Sequence, residues 1–172
     1  MPAVSSFAEW PVSLTTERLT LRPLTPADVP VHIRLWTDPR VRRHLGGPVP
    51  QDVARARGQR CVGVPGLLSV VRAEGGVVVG SVLVEPGARD GRTEVSYQLL
   101  PEHWGRGYGR EAVRAVVAWW PQEVVAVTQE ANAPSRRLLE ELGVVPAERF
   151  VEWGEPQVLY RLAGNPPTGP GG

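Results

Sequence analysis

Glycines recur at every second position in the segment Trp104-Gly105-Arg106-Gly107-Tyr108-Gly109-Arg110-Glu111-Ala112. The segment lies between an apolar run stopped by Pro101 and a stretch with helical spacing. Glycines at a strand-to-helix turn let the backbone fold back with its N–H groups aimed at one spot. The helix N-terminus adds about half a positive charge there, so a diphosphate is held without any Lys. A Walker A loop requires Lys and Ser or Thr after its last glycine, where this chain has Arg110-Glu111. A dinucleotide fingerprint requires glycine at position 110. Glu130 does stand about 20 residues further on, where such a fold places its ribose carboxylate, but too little chain follows for a second mononucleotide half. On its own the segment is either a phosphate loop or a plain glycine-rich turn.

Two more segments carry candidate chemistry. Asn132-Ala133-Pro134-Ser135-Arg136-Arg137-Leu138-Leu139 opens a second helical spacing, with Asn132 or Ser135 as its N-cap. Thr16-Glu17-Arg18-Leu19-Thr20-Leu21-Arg22 alternates polar and apolar residues and reads as a half-buried strand. His103, beside the glycine loop, reads more readily as a surface residue than as a base; His32 and His44 are candidates to line a substrate pocket, with a structural role the more common reading.

The elements that must position these residues follow from periodicity and punctuation. Strands are predicted at 16–24, 67–72, 77–84, 94–100, 124–128, 148–153 and 157–162, and Glu74-Gly75-Gly76 joins the second to the third. Helices are predicted after Thr25-Pro26, at 51–60, at 108–120 and at 134–142, the last closed by Gly143. The resulting order, β-α-α-β-β-β-α-β-α-β-β, is a mixed α/β chain. An antiparallel meander passes into a βαβ crossover, with helices on both faces of one sheet.

The 172 residues fit one domain, with 42% hydrophobic and 22% charged residues. Expected boundaries are an N-terminal extension over 1–13, the domain over 14–163 and a disordered tail over 164–172. No apolar run approaches the roughly 20 residues needed to span a bilayer, and the N-terminus does not read as a signal peptide. The lone Cys61 excludes an internal disulfide or a multi-cysteine metal site, and a cytoplasmic location is expected. All 19 basic residues are Arg and net charge is +1, too balanced for bulk nucleic-acid binding.

The glycine loop resembles the pyrophosphate loop of the GNAT N-acetyltransferases, Q/R-x-x-G-x-G/A, with Gly107 and Gly109 at the fixed glycines. Its first position is Trp104 rather than Gln or Arg, as is common in the ribosomal-protein N-acetyltransferase (RimJ/RimL-like) branch. The Asn132–Gly143 segment is similar to that branch's N-x-x-S-x-x-x-L-x-x-x-G, and residues 16–22 to its T-x-R-L-x-L-R opening. The resemblance covers nearly the whole domain. It implies the GNAT acyl-CoA N-acyltransferase fold, with no metal, and acetyl-CoA as cosubstrate held by Leu99, Leu100, Arg106, Gly107, Tyr108, Gly109, Arg110, Asn132, Ser135 and Arg136. It further implies direct attack by a primary amine through a tetrahedral intermediate, with the thioester carbonyl on a backbone N–H near Leu99 or Leu100. Ser135 then stands near the thioester sulfur, because Leu139 occupies the place of the general-acid Tyr common in the wider family. Glu94 is the first candidate base and Glu130 the second. The implied acceptor is a protein N-terminus or a small-molecule amine, with no nucleic-acid or membrane partner, on a monomer or homodimer. A non-catalytic acyl-CoA-binding or sensing module is the alternative.

Overall fold

The structure, a computed structural model, describes Phe7 and residues 9–163; the disorder expected for 164–172 falls outside the described residues. The elements are β1 (Leu14–Thr15), β2 (Leu19–Pro23), α1 (Val29–Thr37), α2 (Gln51–Gly58), β3 (Leu67–Arg72), β4 (Val78–Arg89), β5 (Arg92–Leu99), α3 (Tyr108–Trp119), β6 (Val124–Gln129), α4 (Ala133–Glu141), β7 (Pro146–Glu152) and β8 (Glu155–Leu162). The strands form one sheet in the order β1-β2-β3-β4-β5-β6-β8-β7. Every neighbouring pair is antiparallel except β5–β6, which α3 connects as a parallel crossover.

Two differences from the predicted elements have local causes. The strands expected at 77–84 and 94–100 run on toward each other and meet at Asp90-Gly91, both at positive φ (51° and 80°). Asp-Gly supplies the two left-handed residues that a two-residue hairpin turn requires. The ladder breaks between Glu85 and Arg89, so Pro86 and Gly87 are carried through an irregular stretch rather than ending the strand. Before α1 the chain makes a 3₁₀ turn at Pro26–Asp28, where the Asp28 carboxylate accepts the Thr25 N–H at 3.0 Å.

One sheet face carries α3 and α4. Ala112, Val113 and Val116 form the buried stripe of α3 and meet Leu68, Val70, Val82, Val84 and Val95 from the sheet, with Leu139 of α4 closing the cluster. Leu139 is 2% exposed, and truncating it to Ala would cost about 2–5 kcal/mol. The opposite face carries α1 and α2: Ser69 alternates with Leu68 and Val70, and therefore points away from α3, to His32 of α1. A smaller cluster of Leu24, Trp36, Ala54 and Cys61 lies under these two helices.

That second face buries charge, and the hydrogen bonds satisfy it in a chain. Asp28 accepts from Arg22 at 2.6 Å and from the Ser69 hydroxyl at 2.9 Å. Ser69 has only one proton, so at 3.0 Å it must accept from His32 Nε2. Neutral His32 therefore carries its proton on Nε2, and Nδ1 is a buried lone pair without a partner among the described residues. Burial pushes the His32 imidazole down to about 4, against a small upward pull from Asp28. For Asp28 burial is the largest influence and acts upward, but Arg22, the Thr25 N–H and Ser69 together bring the carboxyl down to about 2.

Candidate active site

Strands β5 and β6 share only two register pairs, Thr93↔Val124 and Glu94↔Val125. Beyond them β5 stays paired to β4 as far as Leu99, and β6 stays paired to β8 as far as Gln129. The inner edges therefore part, leaving a gap that opens toward the glycine loop. Leu100 donates its N–H to the Val79 carbonyl at 2.9 Å, on the β4 side. By ladder alternation the N–H of Val95 goes to the parallel pairing with β6, and those of Tyr97 and Leu99, beyond the last shared pair, face the gap. Of the two residues expected to offer a donor to the thioester carbonyl, Leu99 has its N–H turned to the gap and Leu100 does not.

The loop at the gap's mouth is built around Gly107, which caps α3 in the left-handed region at φ 79°. The first intrahelical bond runs from the Glu111 N–H to the Gly107 carbonyl, at 3.1 Å. The N–H groups of Gly107 to Arg110 precede it and are open to a ligand. A β-carbon on Gly107 would approach only the Arg18 and Arg110 side chains, at 3.3 and 3.7 Å. Space, positive backbone dipoles and flanking cations fit a diphosphate.

Gly109, the other fixed glycine of the family pattern, is helical, in the first turn of α3. A β-carbon there would stand 2.9 Å from Leu138, 3.2 Å from Tyr97 and 3.4 Å from Leu99. Its small size serves the close approach of α3 to α4 and β5. Trp104, where the family pattern has Gln or Arg, donates its indole N–H to the Leu99 carbonyl at 2.9 Å and ties the loop to the strand end. Tyr108 is buried beneath Arg18, whose guanidinium carbon lies 4.8 Å from the ring centroid.

Across the gap, Asn132 caps α4 by accepting the Ser135 N–H at 3.3 Å. Ser135 lies near enough to Tyr97 of β5 to influence its phenol. Burial pushes the Tyr97 phenol up and Ser135 draws it partly back, so the phenol stays protonated at neutral pH. Sequence reading did not single out Tyr97; its place in phase with Val95 and Leu99, on the face that meets α4, was the available signal.

Glu94 occupies the last parallel pair, at the apex of the gap. Arg89 bonds its carboxylate at 3.0 Å and reaches Glu152 at 2.7 Å. Opposite it in the β4–β5 register stands Glu85, whose carboxyl is pushed up by burial and then by the Glu94 charge, although the residue as a whole is exposed. Glu130 is exposed and 3.5 Å from Arg149. Arg110 is paired with Glu141 at 3.0 Å, and Arg136 bonds the Tyr160 hydroxyl at 3.3 Å. His44 meets Gln129, the last residue of β6, at 3.0 Å, whereas His32 belongs to the buried chain with Ser69. His103 packs beside Tyr108, with its Nδ1 buried and without a partner among the described residues.

A surface recess of about 440 Å³ lies elsewhere, between the C-terminal half of α3 and Leu142–Val144, and none of its lining belongs to the loop or the gap. Among the described residues no group of three or more His, Cys, Asp or Glu side chains is placed to hold a metal.

Residues 18–145 match the family model described as the acetyltransferase (GNAT) domain. The chain is 29% identical over 145 residues to the uncharacterized N-acetyltransferase p20 of Bacillus licheniformis, an alignment covering 76% of this chain and 80% of the relative. It is 29% identical over 157 residues to the FsC-acetyl coenzyme A-N(2)-transacetylase of Aspergillus fumigatus, covering 80% of this chain and 67% of that one. The fold is similar to that of a GNAT-family acetyltransferase from Bacillus anthracis, with a TM-score of 0.79 at 18% identity over 88% of this chain and 98% of that one.

Proposed function

This chain belongs to the GNAT acetyltransferase family and is an acetyl-CoA-dependent N-acetyltransferase, and from that premise we propose that it acetylates a primary amine, on a small molecule or a protein N-terminus. One observation carries the reading: β5 and β6 part just beyond Glu94↔Val125, with the anion-binding loop at the open end and Ser135 and Tyr97 on the flank. The acetyl-CoA thioester supplies the activated acetyl group. The N–H groups of Gly107 to Arg110 receive the diphosphate, and the gap between the strand edges takes the extended arm. Gap-facing N–H groups of β5, that of Leu99 among them, offer donors to the thioester carbonyl as negative charge develops on it.

Two protons must move. The attacking amine loses one, and Glu94 is placed at the apex to take it directly or through water, with Glu130 as second candidate. The departing thiolate gains one: the Ser135 hydroxyl, with Tyr97 nearby, hydrogen-bonds the sulfur and relays to it a proton that solvent replaces on the serine oxygen. The name of the Aspergillus relative, an N(2)-transacetylase, is consistent with nitrogen as the accepting atom. The described residues contain no helix long and apolar enough to cross a membrane, and we place the reaction in the cytoplasm, where the lone Cys61 stays reduced.

The test is turnover of acetyl-CoA by the purified protein with a broad panel of amines, read by free thiol and by the mass of the acetylated product. Acetylated amine is the expected result. Tight CoA binding with no amine modified would replace this reading with that of an acyl-CoA-binding module.

A further inference from the structure

Thr16 and Arg18 read in sequence as polar, outward residues of a half-buried strand, yet their side chains reach α3. Arg18 Nε donates to Glu111 Oε1 at 2.8 Å, and the Arg18 backbone N–H and the Thr16 hydroxyl donate to Glu111 Oε2 at 3.0 and 2.6 Å. Arg18 Nη1 donates to the Arg106 carbonyl at 2.8 Å, and Nη2 stands 3.3 Å from where a Gly107 β-carbon would begin. One guanidinium thus holds the loop on both sides of Gly107.

The two contacts act on the anion seat in complementary ways. In a planar trans peptide the carbonyl and the following N–H point in opposite directions. Fixing the Arg106 carbonyl toward Arg18 therefore turns the Gly107 N–H the other way. Glycine at position 107 leaves that peptide free to rotate, so the orientation needs an external hold. Glu111 lies in the first turn of α3, where an acidic side chain is drawn to the helix N-terminus and competes with any bound anion. Thr16 and Arg18 occupy both of its oxygens.

We infer that Arg18 is a positioning residue for acetyl-CoA: it fixes the Arg106–Gly107 peptide with its N–H toward the diphosphate and keeps the Glu111 carboxylate out of the diphosphate's place. The inference rests on the acetyl-CoA reading above. Arg18→Gln removes the fork. CoA affinity measured by calorimetry should fall about tenfold or more, as for loss of a charge-assisted hydrogen bond. The fall in kcat/KM with acetyl-CoA should match it, while kcat/KM with S-acetyl-pantetheine, which lacks the diphosphate, should equal that of the parent. A simple loss of stability would impair both donors alike, and that result, or unchanged CoA affinity, overturns the inference. Arg18→Lys keeps the charge but cannot span both partners, so it should behave like Arg18→Gln; full rescue by Lys also overturns it, and Lys serves as the reading should the Gln variant not fold. A parent protein that fails to bind CoA at all would instead sink the acetyl-CoA reading.

Discussion

Asn132 Oδ1 accepts the Ser135 N–H at 3.3 Å, so Asn132 caps α4, and the Ser135 hydroxyl takes no part in that cap. The two residues stand three positions apart at the start of one helix: Asn132 holds the turn together, and Ser135 gives the cap only its backbone N–H.

Ser135→Ala should lower kcat by ~10²–10⁴-fold with little change in melting temperature, as expected when a general acid is lost. Asn132→Ala should do the reverse, costing about 1 kcal/mol of stability through the lost cap. Melting temperature and kcat on the same preparations separate the roles. A fully active Ser135→Ala protein would remove Ser135 from the reaction.

The two loop glycines should fail differently. Gly107→Ala strains a left-handed residue by about 1–2 kcal/mol and should weaken CoA binding in a protein that still folds. Gly109→Val drives a branched side chain against Leu138 and Tyr97, an overpacking that costs about 1–3 kcal/mol. Thermal melting with and without CoA is the check. If Gly109→Val kept the parent melting temperature, the close packing of α3 on α4 would not be a constraint.

His32 predicts a pH dependence of stability. Its imidazole is at about 4 in the fold against 6.5 unfolded, so between these values the unfolded chain binds a proton that the folded protein refuses. The His32 contribution to stability is then fully present above pH 6.5, falls as pH drops toward 4 and changes no further below it. The ceiling is about 3 kcal/mol. Asp28, at about 2, titrates below this window. Urea midpoints at pH 7 and 5 should differ less in His32→Gln than in the parent, and an equal difference in both would show that His32 is not the group responsible.

Glu94→Gln should change the acidic limb of the kcat/KM profile, measured with one amine for both proteins and again with an amine of lower pKa. The Gln amide oxygen still accepts from Arg89, so the hydrogen bond at the apex is kept while the ion pair is lost. Rate and profile both as in the parent would reassign proton removal to Glu130 or solvent. A uniform fall without change of shape would make Glu94 a residue that positions the acceptor.

Most of the architecture was legible because it is periodic. The Ala112–Val116 stripe and the Leu138–Leu139 pair could face only a sheet, and alternation at Leu19 and Leu21 specified β2. The Asp90-Gly91 hairpin was legible in principle but was masked by Pro86-Gly87, which reads as a strand end. The positive-φ glycine was distinguishable from its helical neighbour only after the start of α3 was known to the residue. The hold of Arg18 on Arg106 and of Thr16 on Glu111 spans 88 and 95 positions. Contacts between such distant residues leave no local pattern, so the T-x-R-L segment shows itself as a strand and conceals its second task.

The short shared register of β5 and β6 has a mechanical consequence. The sheet is two stiff leaves, β1–β5 and β6–β8, bound along a spine only two residue pairs long, with α3 as the covalent strap between them. Bending at that spine breaks few hydrogen bonds, whereas bending within either leaf breaks whole ladders. Compliance in this molecule is therefore concentrated along one line, and whatever lies between the leaves feels the stiffness of both.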